Sequence, residues 1–550
     1  MSVSQPSRTY GGAAAAPAGS FAVIGIEVTQ TIQDMRHTVT LIAGKTTVVR
    51  VYLERPDPLA ADVRGEIEVT GVHGAITVPS LERLNLDPAH NGDLTGRRHD
   101  LAKSLNFLLP AAALQPGSIS VQVARIFTVG AGQDLAEALP RARAAKFDFL
   151  ESPPLRIRIV RIRHRVSGRA KIFEPSALDY ELILSWLRRA YPVHEVLATR
   201  VTTDAARLWP FNATDINAQI TRIRNSDLAA GGDPRVRYIA IVADGADAQN
   251  RRATTFMPGA VSTIPANHDL SAVGSAPVGP WAFPWDTDGS YGDWYVGHEL
   301  GHTFGREHVG TCKGTTPDRR YRPTNGALSG PGEEYVGFDT GDAALGLPMR
   351  PYRGTQYHDV MSYCDYLWLS AFTYEAIRQR IASDAGRRFA PRSATPHRPV
   401  HGPGMPSRTP LLNIVGTVDL TDRKGSIDYV QPLDIGNVQQ ETDGPPLGIE
   451  GPPQDQPQRV SLRLYGPQAE QIATVPARVK FDIDVQEDQH QRGVVDTFVR
   501  APSDLDRVEL LIDEQPVARY GFRREVVLRD GQAGYARYME IGRASCRERV

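Results

Sequence analysis

Apolar positions change their period twice along this chain. From Phe21 to about Phe149 they alternate with polar ones in short β-branched runs, FAVIGIEVTQ, TVTLI, TTVVRVYLE, EIEVTGV and SISVQVARI, separated by clusters of Gly, Pro and Asn or Asp. Alternation of period two puts one side of each run in a core and the other in water, so residues 21–150 are predicted to form an Ig-like antiparallel β-sandwich domain. Glu151-Ser152-Pro153-Pro154 reads as a linker. Beyond it, LRIRIVRIRHRV has the pattern of a strand, and YELILSWLRRAYPV carries its apolar residues at helical spacing. ATDINAQITRIRNSD predicts a helix with Thr214 or Asp215 near its cap, and RYIAIVADG a buried strand. Strand, helix, helix, strand is the order of a mixed α/β layer domain.

A second change follows. GRRFAPRSATPHRPVHGPGMPSRTP (residues 386–410) is rich in Pro and Arg, lacks an apolar period and reads as a linker. After it LLNIVGTVDL, RVSLRLYG, VKFDIDV, RVELLIDE and PVARYGF return to β spacing, interrupted by a Pro-rich loop around Pro445 to Pro457. Residues 411–539 are therefore expected to form a second, truncated β-sandwich. Residues 1–20, rich in Ala, Gly, Pro and Ser, read as a disordered tail. The last stretch, EIGRASCRERV (540–550), breaks off from the strand-like text and resembles a translated sequencing-library adapter, so it is expected to be non-native. The fold class predicted is a multidomain α+β protein, with an α/β domain between two β-sandwiches.

Composition narrows the function. At 550 residues the chain exceeds one hydrophobic core. Its 41% hydrophobic and 23% charged residues are those of a globular protein. A formal net charge of -1 provides no field to gather a polyanion, so nucleic acid is not expected as a partner. No run approaches the roughly 20 apolar residues of a membrane span, and the first residues lack the basic start and apolar stretch of a secretion signal.

Residues 298–308 read HELGHTFGREH. Imidazoles four residues apart on a helix share one face, so His298 and His302 can reach one Zn²⁺ ion. Glu299 follows the first of them and can take a proton from an activated water as general base. The third ligand, His308, must come from beyond the helix. Gly305 supplies the means, since without a Cβ it can adopt positive φ and end the helix. With 14 histidines in the chain, five fixed positions coincide by accident in fewer than roughly one in 10⁴ such chains. A helix with ordinary surface histidines is one alternative. A closed structural zinc, with Cys312 as fourth ligand, is another.

HELGHTFGREH followed by DVMSY (359–363) resembles the metzincin clan of zinc endopeptidases, whose signature is this extended histidine motif plus a Met-turn. The resemblance implies a zinc metallopeptidase domain at residues 155–385, zinc as cofactor, and a protein or peptide as substrate. It makes Met361 the hydrophobic base below the imidazoles, a role close to plain core filling. Tyr363 matches the tyrosine that assists the oxyanion in astacin-like and serralysin-like members; a packed aromatic is the alternative. The fold that makes such a site would also bring Cys312 and Cys364 together. A disulfide is then expected, fitting an oxidising, extracellular or cell-surface location, with two buried free thiols as the other possibility.

Three features stay outside that scheme. DTDGSYGD (286–293) resembles part of a Ca²⁺ loop but lacks the distal Glu, and reads as a turn with Asp293 capping the metal helix. Trp281, Phe283 and Trp285 either pack or line substrate. GAVSTIP (259–265) is the best candidate for a sheet edge that receives an extended peptide. Endopeptidase is thus the expected activity. Two rivals are an adhesion or glycan-binding protein with a relic zinc domain, and a zinc amidase.

Overall fold

The computed structural model describes residues 21–54, 61–86, 92–129, 135–137, 144–247, 251–265, 269–310, 312, 318–386, 411–433, 459–482, 490–500, 505–522, 528–529 and 532–533. The expected tails at 1–20 and 540–550, the linker from 387 to 410 and the Pro-rich loop lie outside these residues. The protein is multidomain and mostly β, with several separate sheets. No helix among the described residues is long and apolar enough to cross a membrane. The chain divides into two compact units. One comprises Met1–Pro154, Ser185–Glu195 and His308–Arg378; the other comprises Leu155–Leu184, Val196–Glu307 and Gln379–Val550.

In the first unit the alternating runs build two sheets. Strands Ala22–Thr29, Val48–Glu54 and Leu105–Leu108 form one. Strands Leu41–Ile42, Ala145–Leu150, Gly117–Thr128, Ala61–Gly71 and Gly74–Pro79 form the path of the other. Their inward residues, among them Val28, Val51, Ile67, Val121, Phe107 and Phe149, make one buried cluster. The short strand Ile32–Gln33 continues into a separate sheet by pairing with Val336–Asp339. That pairing ties the N-terminal segment to the part of the chain that follows the histidine motif.

In the second unit the central sheet runs in the order Ile172–Phe173, Leu155–Arg165, Arg237–Ala243, Val273–Val278, Ala260–Val261, with Val196–Asp204 also paired to Leu155–Arg165. The strand Leu155–Arg165 is parallel to its neighbours Val196–Asp204 and Arg237–Ala243. Only the two short strands at Ile172–Phe173 and Ala260–Val261 run antiparallel to their partners. Helix Ala213–Ala229 covers one face, burying Ile216 and Ile220 against Val160, Ile162, Ala240 and Val242. Its N-cap is Asn212, two residues before Thr214 and three before Asp215. Asn212 Oδ1 accepts from Asp215 N while Asp215 Oδ2 accepts from Asn212 N, a reciprocal capping box.

The C-terminal β runs form two four-stranded antiparallel sheets. One orders Lys424–Leu433, Leu411–Asp419, Arg492–Arg500 and Val479–Phe481; the other orders Gln471–Pro476, Val460–Tyr465, Arg507–Ile512 and Gln515–Gly521. They share a core that includes Leu412, Ile414, Leu462, Val495 and Leu510. The first sheet also lies against helix Ala213–Ala229, where Ala218 is buried with Val415 and Val494. Asn225 Nδ2 donates to Asn413 Oδ1 at 3.1 Å and to Asp496 Oδ1 at 2.9 Å, and Lys480 Nζ reaches Asp496 Oδ2 at 2.8 Å, all four side chains being buried.

Candidate metal centre

HELGHT ends a helix, Gly292–Thr303, that lies against strand Val273–Val278. The helix starts at N-cap Tyr291, so Asp293 is its second residue and no cap, contrary to expectation. The reason is local: Asp293 is buried and its Oδ1 accepts from the amide of its own successor, Trp294. His298, Glu299 and His302 are all buried. The Nε2 atoms of His298 and His302 stand 3.1 Å apart. The Arg306 carbonyl oxygen lies 2.6 Å from His302 Nδ1 and can only accept, so Nδ1 carries the proton and Nε2 presents its lone pair.

The helix is turned off by Gly305, at φ 80°. Gly305 N donates to His302 O at 2.8 Å and Arg306 N to Gly301 O at 3.1 Å, the two bonds of a Schellman cap. One backbone device therefore stops the helix and brings the Arg306 carbonyl back to the ring of His302.

Glu299 is approached from the sheet by Gly259. A Cβ at Gly259 would collide with Glu299 Oε1 and lie 2.5 Å from a ring carbon of Tyr295. The Gly259 amide donates to the Tyr295 hydroxyl at 3.0 Å. Only a glycine allows the backbone so close to the carboxylate. The neighbouring residues Ala260–Val261 form the last strand on the path of the sheet.

Beyond the helix, His308 is largely buried, its carbonyl accepts from Asp318 N at 2.6 Å, and the next amide, of Val309, donates to the Met361 carbonyl at 2.9 Å. Met361 is fully buried. Its own amide donates to Asp359 Oδ1 at 2.7 Å, while Asp359 Oδ2 accepts from Ser370 N at 3.0 Å, so one buried carboxyl ties the Met361 amide to the start of helix Ala371–Gly386. Burial pushes the Asp359 carboxyl above its ordinary value, against those hydrogen bonds. The Tyr363 ring lies 4.5 Å from that of His308, tilted by 46°. Cys312 and Cys364 form a disulfide with Cα atoms 5.4 Å apart.

His298, His302 and His308 make up one group that could hold a metal ion, each offering a ring nitrogen within 4.8 Å of the others. The donor set fits zinc. Two nitrogens on a tetrahedral ion at about 2.0–2.1 Å are about 3.3 Å apart, close to the His298–His302 separation. With the His302 lone pair facing His298, a cation or a shared proton must also offset the repulsion between the two nitrogens.

Asp286, Asp288 and Asp293 also bring oxygens within 4.8 Å of one another. Burial and the charge of Asp288 push Asp286 up to about 7, and Trp294 Nε1 donates to its Oδ2 at 2.8 Å. Among the aromatics, Phe283 packs edge-on against Trp294 at 4.8 Å and Tyr291 at 5.0 Å, and Trp285 lies 5.1 Å from Trp294. Trp281 is 41% exposed, with the Arg251 guanidinium over its ring at 4.5 Å.

Sequence reasoning did not assign roles to Gly259, Tyr295, Asp359 or the Arg306 carbonyl. Asp359 carried a usable signal, as a short acceptor opening a tight turn. The other three are contacts between distant segments or from the main chain, which no local pattern announces. No family model matches the chain, and no curated protein matches it.

Proposed function

We propose that the protein is a zinc-dependent endopeptidase of the metzincin type. The observation that carries this reading is the pair of buried imidazoles on one helix, that of His302 oriented by the Arg306 carbonyl, with a buried glutamate between them. His298, His302 and His308 would hold the ion. Bound Zn²⁺ would supply Lewis acidity to a scissile carbonyl and lower the pKa of water at an open position.

The chain's own groups do the rest. Glu299 accepts the proton of the attacking water and passes it to the leaving amine. Gly259 and the full burial of Glu299 restrict that carboxylate. An extended peptide adds alongside Ala260–Val261, its main chain pairing with the strand. Tyr363 donates a hydrogen bond to the developing oxyanion, a contribution typically worth about 2.7–4 kcal/mol.

Glu299→Gln tests the base. Cleavage of a peptide library, with products read by mass spectrometry, should disappear while zinc content stays at the wild-type level. Undiminished cleavage refutes the role of Glu299. His308→Ala should lose zinc as well as activity, and unchanged zinc content in that variant would place the third ligand elsewhere.

A further inference from the structure

The Cys312–Cys364 disulfide has a third neighbour. A ring nitrogen of His358 and the two sulfurs all lie within 4.8 Å of one another. His358 Nδ1 lies 2.8 Å from the Asp365 carbonyl oxygen, which can only accept, so Nδ1 holds the proton and Nε2 carries the lone pair a metal requires. The backbone of His358 is fixed as well, its amide donating to Tyr366 O at 3.0 Å and its strand pairing with Leu367. Cys364 is buried, His358 is half-buried and Cys312 is exposed, so a reductant has access from the Cys312 side.

The sulfurs share one further partner. The Asn325 carbonyl oxygen is 3.2 Å from Cys364 Sγ and 3.7 Å from Cys312 Sγ. After reduction both thiols retain an acceptor at the same point, which keeps them close together. Two thiolates and one neutral imidazole are a ligand set that selects soft divalent ions of the zinc class.

We propose that Cys312, Cys364 and His358 form a second metal site, which the disulfide closes and reduction opens. A dithiol or phosphine reductant delivers two electrons to the S–S bond, and two protons from solvent complete the thiols. Binding of a divalent ion then releases both protons to solvent, leaving two thiolates and a neutral imidazole around the ion with no net charge. The bridge between the turn after His308 and the turn containing Met361 is thereby replaced by a metal clip at the same place. This inference does not depend on the peptidase reading, because the histidine group contains no sulfur.

Co²⁺ distinguishes the two sites, since thiolate ligation adds a near-ultraviolet charge-transfer band that imidazole ligation lacks. The full chain carrying Cys546→Ser is titrated with Co²⁺ before and after phosphine reduction without oxygen. Reduction should add one equivalent of bound Co²⁺ and the thiolate band. His358→Ala should weaken that equivalent on the order of 10-fold or more, and Cys364→Ser should abolish it. The proposal is overturned if reduction produces no band, or if the band is indifferent to His358→Ala. Loss of near-ultraviolet circular dichroism on reduction that Co²⁺ fails to restore overturns it equally.

Discussion

The carbonyl oxygen of Arg306 accepts a hydrogen bond from Nδ1 of His302 at 2.6 Å. It reaches that position only because Gly305, at φ 80°, reverses the chain after the helix. An L-residue there adopts the left-handed conformation at a cost of about 1–2 kcal/mol. Gly305→Val should therefore lower stability by about that amount in urea unfolding and weaken zinc binding, read by competition with a chromophoric chelator. Retained zinc affinity in a destabilised protein would show that the cap contributes to the fold alone.

Glu27 occupies the N-terminal unit as a buried carboxylate between two buried arginines. Its Oε1 accepts from Arg98 Nη2 at 2.5 Å, Oε2 accepts from the Tyr52 hydroxyl at 2.6 Å, and Arg50 Nη1 is 3.6 Å away. Burial pushes its pKa up, but Arg98 and Arg50 outweigh burial, and the net position is below the ordinary value. A carboxyl lowered in the folded state stabilises the protein above its unfolded pKa and loses that stabilisation as pH falls through the folded one. Glu27→Gln should cost about 3–5 kcal/mol at pH 7 by leaving two guanidiniums without their anion. The variant's stability should also decline less than that of the wild type between neutral and acid pH, as thermal unfolding at stepped pH would record.

Some of this architecture can be read from the chain and some cannot. Leu155–Arg165 and Ala213–Ala229 are evident because each keeps one period throughout, and Arg237–Ala243 because its apolar run is unbroken. Strand Val273–Val278 is not: VGSAPV carries Gly, Ser and Pro, and its strand character comes from burial of all six residues between neighbours. Val196–Asp204 escapes notice for the opposite reason, having no buried residue and, among the described residues, pairing only with Leu155–Arg165. At the candidate metal centre, His298, Glu299, His302 and Gly305 are legible since helix geometry dictates their spacing. Gly259 is not, because its task is set by a side chain 40 positions away.

Lys480 and Asp496 join the C-terminal sheet to helix Ala213–Ala229 through Asn225 and Asn413. Burial pushes the Asp496 carboxyl up, yet Lys480 and the amide of Asn413 hold it below its usual range. Lys480→Met removes the cation hydrogen-bonded to this carboxylate and leaves it buried with its amide donors and the charges of Arg478 and Arg224, so a loss of about 3–5 kcal/mol is expected. Adding Asp496→Asn should recover part of that loss, since the amide keeps an acceptor for Asn225 and carries no charge. Urea unfolding of both variants measures the coupling, and additive losses would contradict it.

Gly259 offers the sharpest separation between metal binding and chemistry. Its missing side chain leaves room for Glu299 Oε1, and its amide is anchored on the Tyr295 hydroxyl. Gly259→Ala forces the carboxylate or the strand to move, and a displacement near 1 Å in an active site costs on the order of 10²-fold in rate. The three atoms nearest the new methyl belong to Glu299, Tyr295 and Ser275 and to none of the three histidines. Peptide cleavage by Gly259→Ala should thus fall about 100-fold in kcat while zinc content is unchanged. Tyr295→Phe, which removes the anchor without adding bulk, should produce a smaller loss of the same kind. If Gly259→Ala cleaves at the wild-type rate, Glu299 does not depend on this strand for its position. If it loses zinc, the strand supports the ligands as well as the base.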